Sequence, residues 1–332
     1  MNAPLYKTVR DAIRYGFAVG KVRVLETRVF SGGTYERLVD APTFAEQKRI
    51  LSDTVYGRHL ESALTADDVE AGLEAALDEF YGFLDEANLP APVVRFLRLR
   101  YDYANLRAVL KARALGAPLD GMIVDLGTVP AEMITGPAER LPAFLAAVAS
   151  ELAGDEGRGA NVDEIDAVVE RAAFADLAST ALESKSPSLV ELSRLMIDVA
   201  NARTAIRARR RERPASELAG LFFKGGSIKR DKIEKAYMAP FREFVDAVSA
   251  MPAFRGIDAE LLAELVSLDV VLDNLISHFL RRARAVQFGP EPVIAYVMAR
   301  EAEVTAVRTL LIGRLAGLDR DALRSRLREL YV

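Results

Sequence analysis

A short motif that recurs four times constrains the fold of this chain more than any other feature. In its clearest form the motif is an acid, two residues, a small or polar residue, one residue and then a cation. The four copies are Tyr15–Lys21, Tyr101–Arg107, Met196–Arg203 and Arg300–Arg308. Aligned on Asn105, they place Val19, Asn201 and Ala306 at its position, with spacings of 86, 96 and 105 residues. A repeat this long is a structural unit in its own right, unlike the short repeats that stack into solenoids.

Each of the first three copies is followed by a turn with glycine and then by amphipathic segments. The turns are Val29–Tyr35, Asp125–Val129 and Phe222–Ile228, and the second of them is the weakest match. We therefore predict three helical repeat units, at residues 1–90, 91–187 and 188–289, with residues 290–332 forming C-terminal motif helices that close the array. The stretches at these boundaries are short and contain proline, which indicates turns between packed units rather than flexible linkers.

Helix signals dominate, so the predicted fold class is all-α. Capping boxes are indicated where Thr43, Asn161 and Ser188 each precede an acid by three residues. Five glycines are predicted to end helices: Gly57, Gly116, Gly154, Gly256 and Gly289. A leucine-rich stripe from Leu261 to Phe279 predicts one largely buried helix. No run of alternating apolar and polar residues is long enough to indicate a sheet.

Composition excludes several classes of protein. The net charge of −4 argues against nucleic acid as the principal partner, which would favour a basic face. Cysteine is absent, so neither a disulfide framework nor a thiolate metal site is possible. The longest uncharged stretch is the ten residues from Leu141 to Ser150, which is too short to span a bilayer. The first residues show no apolar signal core. Any membrane association is therefore expected to come through a protein partner.

The polar residues of the motif are the main candidates for a site, and we interpret them as structural. Asp102 and Asn105 are three residues apart and lie on one helix face. Their repetition predicts that they tie a helix to its neighbours, as buried polar groups usually do, rather than bind a ligand. The predicted structural set is Asp102, Asn105, Arg107, Asp198, Asn201, Arg203, Glu303 and Arg308.

Motifs for catalysis or cofactor binding are absent from the sequence. The paired glycines lack the longer frame of a P-loop and the spacing of a dinucleotide-binding loop, so they indicate turns. The two histidines, His59 and His278, have no neighbours at metal-ligand spacing. The carboxylates lie at helix starts or on solvated faces, so no acid–base pair can be chosen. We predict no catalytic, cofactor-binding or metal-binding residues.

Charge is distributed unevenly along the chain. Residues 59–94 contain nine acids and no lysine or arginine. Six arginines lie between Arg203 and Arg213. The arginine run is predicted to be the solvated end of a helix, where cations are favoured. Within it, Arg207, Arg209 and Arg210 are candidates for a partner interface, opposite in charge to the acidic block.

The order and spacing of these motifs resemble the C subunit of V-type and A-type ATPases and ATP synthases, which corresponds to the d subunit of the eukaryotic complex. Five segments carry the resemblance: Tyr15–Arg23, Leu51–Gly57, Tyr101–Arg107, Phe222–Gly226 and Tyr296–Val304. The resemblance covers essentially the whole chain. It departs from the family pattern where Val19-Gly20-Lys21 replaces Asn-Ala-Arg, which bears on how tightly the first unit packs.

The resemblance implies three similar helical domains in a funnel-like arrangement around a pseudo-threefold axis. It also implies a non-catalytic member of the central stalk, which couples the shaft formed by the D and F subunits to the membrane ring of proteolipid subunits. Rotation would then pass between ATP chemistry and ion transport through this protein. The implied location is the cytoplasmic face of the membrane, peripheral and held by the complex.

Two other classes of function remain open at the level of the sequence. The first is a cytosolic helical-repeat adaptor without a rotary role. The second is an enzyme with an unrecognised site, which the missing nucleophile, metal ligands and cofactor loop disfavour. Co-purification with ATPase subunits separates the rotor subunit from the adaptor, and turnover by the isolated chain would indicate the enzyme.

Overall fold

The structure is a computed structural model that describes residues 5–119, 121–153, 161–329 and 331, and within them it contains helices and no β-strand. This confirms the predicted all-α class. The chain divides into two compact units, residues 1–89 with 239–332 and residues 90–238. A compact unit reflects where packing is dense, whereas a repeat reflects internal similarity, so this division does not test the predicted repeat boundaries.

The first compact unit contains the helices at both ends of the chain. Its N-terminal part consists of α1 (Leu5–Leu25), α2 (Gly32–Asp40), α3 (Phe44–Leu51), α4 (Gly57–Leu60) and α5 (Ala66–Glu86). A hydrophobic core forms where these helices meet the last long helix of the chain, and Leu38, Tyr56 and Leu73 are fully buried in it. Burial of large side chains from distant segments is the main source of stability in such a core.

The second compact unit begins at residue 90 and is built on three long helices. Its helices are α6 (Ala91–Leu115), α7 (Ala131–Thr135), α8 (Ala143–Ala153), α9 (Val162–Glu183), α10 (Pro187–Arg210), α11 (Ala215–Leu221) and α12 (Arg230–Tyr237). Helix α9 packs against both α6 and α10. The two motif copies of this unit lie in α6 and α10, on either side of α9.

The chain then returns to the first compact unit with α13 (Phe241–Ser249), α14 (Ala259–Ala263), α15 (Leu265–Arg281), α16 (Glu291–Leu315) and α17 (Arg320–Arg324). Helix α16 carries the last motif copy and packs against α5 and α1. None of the described helices is both long enough and apolar enough to cross a bilayer.

The helix starts agree in part with the capping predictions. Thr43 accepts a hydrogen bond from the backbone N of Glu46, and Asn161 accepts one from that of Glu164, which confirms two of the three predicted caps. The third prediction is wrong, because Ser186 rather than Ser188 caps α10 and accepts from Leu189 N at 3.4 Å. The helix begins two residues earlier since Pro187 occupies its first position.

The predicted helix ends agree less well. Gly116 caps α6 in the left-handed conformation, with φ of 62°, as expected. Gly57 instead begins α4, in a turn so tight that a Cβ there would lie 2.2 Å from the backbone O of Ser52. Gly256 and Gly289 lie in connections beyond the ends of α13 and α15, and Gly154 lies outside the described residues.

The leucine-rich stripe also differs from the prediction. It is divided at Glu264, whose backbone is extended at φ −88° and ψ 133°, so α14 and α15 replace one helix. Leu261, Leu265 and Val266 are exposed beside this break, whereas Leu268 and Leu272 are buried. Only part of the stripe therefore contributes to the core.

Candidate functional site: motif helices and the loops that they hold

The motif residues of α6 bind the loop that follows this helix. The Asp102 carboxylate accepts hydrogen bonds from the backbone N of Thr128 and Val129, at 2.8 and 2.9 Å, and from the Thr128 hydroxyl at 2.6 Å. Asn105 forms a pair of bonds with Val124: its Nδ2 donates to the carbonyl at 2.7 Å and its Oδ1 accepts from the backbone N at 3.0 Å. Asp102 and Asn105 are both buried. The loop is thus fixed at two points by one helix face.

The motif residues of α10 repeat this arrangement with the loop before α12. Asp198 accepts from the backbone N of Ser227 and of Ile228, both at 3.0 Å, and from the Ser227 hydroxyl at 2.5 Å. Asn201 bonds both backbone groups of Phe223, at 3.0 and 2.8 Å. Each hydrogen bond between α6 and its loop therefore has a counterpart between α10 and its loop. We call these two arrangements of motif helix and bound loop the first and the second cradle.

The predicted glycine turns explain how close each loop comes to its carboxylate. A Cβ on Gly127 would lie 2.2 Å from Asp102 Oδ1, and a Cβ on Gly226 would lie 2.3 Å from Asp198 Oδ1. Atoms this close overlap, so a side chain at either glycine would push the loop away from its acceptor. The acid, the asparagine and the glycine therefore act as one unit, although the glycine lies in the loop beyond the helix.

The motif residue of α16 holds the first loop of the chain by different contacts. Glu303 Oε2 accepts from the backbone N of Phe30 at 2.6 Å. Phe30 lies three residues before Gly33, as Val124 and Phe223 lie three residues before Gly127 and Gly226. Glu303 therefore accepts from the loop amide that corresponds to those bound by Asn105 and Asn201 in the other two loops.

Glu303 also lies at the centre of a buried polar cluster. Its Oε1 accepts from the Tyr56 hydroxyl at 2.8 Å and from Arg300 Nη1 at 2.5 Å. Arg300 is 1% exposed, donates to the Leu25 carbonyl at 3.3 Å, and its guanidinium lies 4.8 Å from the centroid of the Phe80 ring. The cluster thus connects α16 to the end of α1 and to the segments that follow it.

Burial and mutual charge act on each group of this cluster: burial raises the pKa of Glu303, while the Arg300 charge and the hydrogen bonds from Phe30 and Tyr56 act in the opposite direction. Burial alone would lower the pKa of Arg300, but Glu303 and Tyr296 beside it raise this pKa above its ordinary value. Burial and the neighbouring Glu303 charge raise the pKa of Tyr56 well above its usual range, so its hydroxyl keeps its proton. A buried ion pair of this kind is costly to break, because removing one partner leaves the other charge unpaired.

The motif cations Arg107 and Arg203 lie near acids of α9. Arg107 Nε is 3.5 Å from Asp166 Oδ1, and Lys111 Nζ is 2.7 Å from the same oxygen. Burial raises the pKa of Glu170 one turn further along α9, while the positive charges of Arg107, Arg203 and Arg207 lower it. Arg308 of the last copy instead pairs with Glu70 of α5, at 2.8 Å. The structure therefore brings Arg107 and Arg203 toward α9, whereas Arg308 of the fourth motif copy contacts α5.

The three arginines of the predicted interface differ in their surroundings. Arg207 and Arg210 are exposed at the end of α10. Arg209 is half-buried, donates from Nε to the Tyr237 carbonyl at 3.1 Å, and lies over the Tyr237 ring. Arg209 therefore has a role inside the chain that the sequence did not indicate.

Several contributing residues escaped the sequence reasoning. Thr128 and Ser227 share a position after their glycines, and this regularity is visible in the sequence. Tyr56 and Arg300 lie in segments that resemble the family, and Arg300 is three residues from Glu303, but no sequence signal indicates that Tyr56 meets Glu303 from 247 residues away. His59 and His278 contact Glu79 and Glu329 respectively, and among the described residues no acid or histidine cluster could hold a metal ion.

The comparisons with known proteins cover the motif helices and the loops described above. The family described as ATP synthase (C/AC39) subunit matches residues 18–326. Similar proteins include the C subunit of the V-type sodium ATPase of Enterococcus hirae, 24% identical with 93% of this chain and 97% of the relative covered. The C subunit of the V-type ATP synthase of Thermus thermophilus is 26% identical, with 92% and 96% covered.

The C subunit of the A-type ATP synthase of Thermococcus gammatolerans is also 26% identical, with 92% of this chain and 87% of the relative covered. The family match extends from within α1 to beyond α17, so it includes all four motif copies except the first residues of the first. It also includes the three loops that the motif helices hold. This chain therefore belongs to the ATP synthase (C/AC39) subunit family.

Proposed function

We propose that this protein couples the central shaft of a V-type or A-type ATPase or ATP synthase, formed by the D and F subunits, to the membrane ring of proteolipid subunits. In this role it is a peripheral part of the rotor on the cytoplasmic face of the membrane, and its other contacts with the complex are indirect. The observation that carries the proposal is the family match over residues 18–326, since relatives named as the C subunit of such complexes align with more than nine-tenths of this chain.

Members of this family are non-catalytic subunits of rotary complexes, and the same holds for this chain. Its contribution to energy conversion is therefore mechanical. Torque passes through a protein only if the protein does not deform and its interfaces do not slip. Stable interfaces bury about 1,200–2,000 Å² or more, so binding is expected to be spread over wide surfaces of the helical units.

The proposed source of stiffness is the repeated cradle between motif helix and loop. Asp102 and Asn105 hold one loop, and Asp198 and Asn201 hold another, and these buried side chains are costly to leave without their hydrogen-bond partners. We assign the eight motif residues this structural role, in three helical repeats at 1–90, 91–187 and 188–289 that are closed by residues 290–332. A funnel-like arrangement about a pseudo-threefold axis is part of the same proposal.

The decisive experiment removes and restores this chain in membranes that contain the complex. Without it, ATP hydrolysis by the catalytic part is expected to continue while ATP-driven ion uptake into inverted vesicles is lost. Adding back the purified chain should restore ion uptake. Uptake that is unaffected by its removal would contradict the rotor role.

A pull-down with the full chain separates the proposal from the alternative of a helical-repeat adaptor. The rotor protein should co-purify with the D and F subunits and with the proteolipid ring. An adaptor should bring down other proteins and none of these. Because both alternatives are binding functions, the identity of the captured proteins decides between them.

A further inference from the structure

The Phe30 amide, in the first loop of the chain, donates to the last long helix rather than to the motif helix that precedes the loop. In the second compact unit, each loop is held by the motif helix that precedes it in the sequence, α6 or α10. The corresponding amide of the first loop, Phe30 N, donates to Glu303 of α16, which is 273 residues away in the sequence. The same loop amide is therefore bound by a motif helix that is near in sequence in two loops, and by α16 near the end of the chain in the first loop.

The two motif positions of α1 that correspond to Asp102 and Asn105 lack a side chain that could accept this hydrogen bond. Its motif copy places Gly16 where Asp102 lies and Val19 where Asn105 lies, and neither side chain can accept a hydrogen bond. Val19 is buried, and a Cβ added to Gly16 would meet no atom within 4 Å. The degraded motif is thus compensated by a contact from another helix.

The rest of the first loop has no need for a second acid. In the other loops the two amides after the glycine donate to Asp102 or Asp198. In the first loop the equivalent amides, Thr34 N and Tyr35 N, donate to the Ser31 carbonyl at 3.0 and 3.3 Å, because α2 has already begun. Phe30 N is the one of the three corresponding loop amides that takes its acceptor from α16.

We propose that Glu303 is the positioning residue through which the last long helix completes the first repeat and closes the chain on itself. Its length, rather than its charge alone, gives it this role. The carboxylate spans the distance between α16 and Phe30 N with one oxygen while the other meets Tyr56 and Arg300. The closure is a property of the chain itself, so its test does not depend on the rotor role.

Two substitutions separate the length of Glu303 from its charge. Glu303→Gln keeps the length and one oxygen that can accept from Phe30 N, but it removes the charge and turns an NH₂ toward the Tyr56 and Arg300 donors, so overall stability should fall while the loop contact is kept. Glu303→Asp keeps the charge but withdraws the oxygens by one methylene. Backbone hydrogen exchange at Phe30 in the full chain is the readout, measured relative to Leu73 of α5 in the same compact unit so that global destabilisation cancels.

If Glu303 positions the loop, Phe30 exchange should rise about tenfold or more in Glu303→Asp and change by less than about threefold in Glu303→Gln. Asn105→Ala is the matched control, which should expose Val124 and leave Phe30 protected. The reverse pattern, with Phe30 protected in Glu303→Asp and exposed in Glu303→Gln, would assign Glu303 to charge pairing only. Unchanged protection in both variants would equally overturn the proposal.

Discussion

At the scale of single residues, Asp102 illustrates how one carboxylate fixes a loop. Its two oxygens accept three hydrogen bonds from Thr128 and Val129, and it is fully buried. Asp102→Ala leaves the buried N–H of Val129, the partly buried N–H of Thr128 and its hydroxyl without their acceptor, which should lower the free energy of unfolding by about 1–3 kcal/mol. Chemical denaturation measures this change.

Asp102→Asn is the control for that prediction. The asparagine oxygen can accept from both backbone N–H groups, and its NH₂ can donate to the Thr128 hydroxyl, which then acts as acceptor. Its effect on the free energy of unfolding should therefore be smaller than that of Asp102→Ala. Equal losses in the two variants would show that the hydrogen bonds are not the source of stability.

The same residue predicts a pH dependence. Burial raises the pKa of the Asp102 carboxyl, although the hydrogen bonds from Thr128 and Val129 act in the opposite direction. The folded protein therefore binds this proton more tightly than the unfolded chain, so stability gained from it rises as the pH falls from neutral toward the raised pKa. Relative to Asp102→Asn, which does not titrate, the wild-type chain should be more stable near the pKa of an unfolded aspartate, about pH 4, than at pH 7. A difference that shrinks as the pH falls would contradict this sign.

The residues of the two middle cradles could be predicted from sequence because spacing within one helix fixes which side chains share a face. This reasoning identifies Asp102 with Asn105, and Asp198 with Asn201. Their loop partners follow 19 to 30 residues later in the sequence, around a glycine. In the cluster around Glu303 only the pairing with Arg300, three residues away on the same helix, follows from spacing. The contacts of Glu303 with Tyr56 and Phe30 could not be predicted, because they form only through the tertiary packing of segments far apart.

At the scale of the helix, two glycines of α5 give a matched pair. Gly82 lies in the last turns of this helix, and a Cβ there would meet no atom within 4 Å. Alanine loses less conformational freedom on folding, so Gly82→Ala should raise the free energy of unfolding by about 0.4–1 kcal/mol. The same substitution at Gly72 would place a Cβ 2.3 Å from the His59 carbonyl oxygen and should lower it by about 1–3 kcal/mol.

Thermal and chemical denaturation of the two variants test this pair. Helix propensity alone predicts that both substitutions stabilise, since both replace glycine by alanine in one helix. Opposite signs would show that α4 approaches α5 closely at Gly72, as the structure has it. A stabilising Gly72→Ala would contradict that approach.

The existence of helices could be predicted well from sequence, but their ends less well. Thr43 and Asn161 cap helices because their bonds are local. The break at Glu264 follows no glycine or proline, so no local signal marks it. The prediction for Gly57 was wrong for a related reason, since its small size serves a close approach to Ser52 rather than a helix end.

At the scale of the whole molecule, one of the two compact units is not continuous in the sequence. Residues 239–332 join residues 1–89, so the first unit is assembled from both ends of the chain. Spacing along the sequence reports on repeats but not on which distant segments pack together. The contact of Glu303 with Phe30 is one physical cause of this joining, together with the burial of Val307 and Leu310 in the same core as Leu38.

The proposed partner interface also belongs to this scale, and the surroundings of its arginines decide how it should be tested. Reversing Arg209 would disturb its contact with Tyr237, so weaker binding of a partner could then reflect local unfolding. Arg207 and Arg210 are exposed, and Arg207→Glu with Arg210→Glu reverses two positive charges at this surface. Because the Arg207 charge also acts on Glu170 of α9, unchanged thermal unfolding of the variant is a condition of the test. Lys232→Glu with Lys235→Glu, at exposed positions of α12, makes an equal change elsewhere in the same unit.

If the end of α10 binds an acidic surface of another protein of the complex, the arginine pair should weaken the binding of one partner about tenfold or more, while the lysine pair leaves it unchanged. The measurement is co-purification and affinity at about 0.15 M salt, where exposed charges more than about 8 Å apart are largely screened. Because long-range attraction is suppressed under these conditions, a loss that persists indicates direct contact. Equal effects of the arginine and the lysine substitutions would indicate that binding depends on net charge alone. Unchanged assembly would show that Arg207 and Arg210 are not part of the interface.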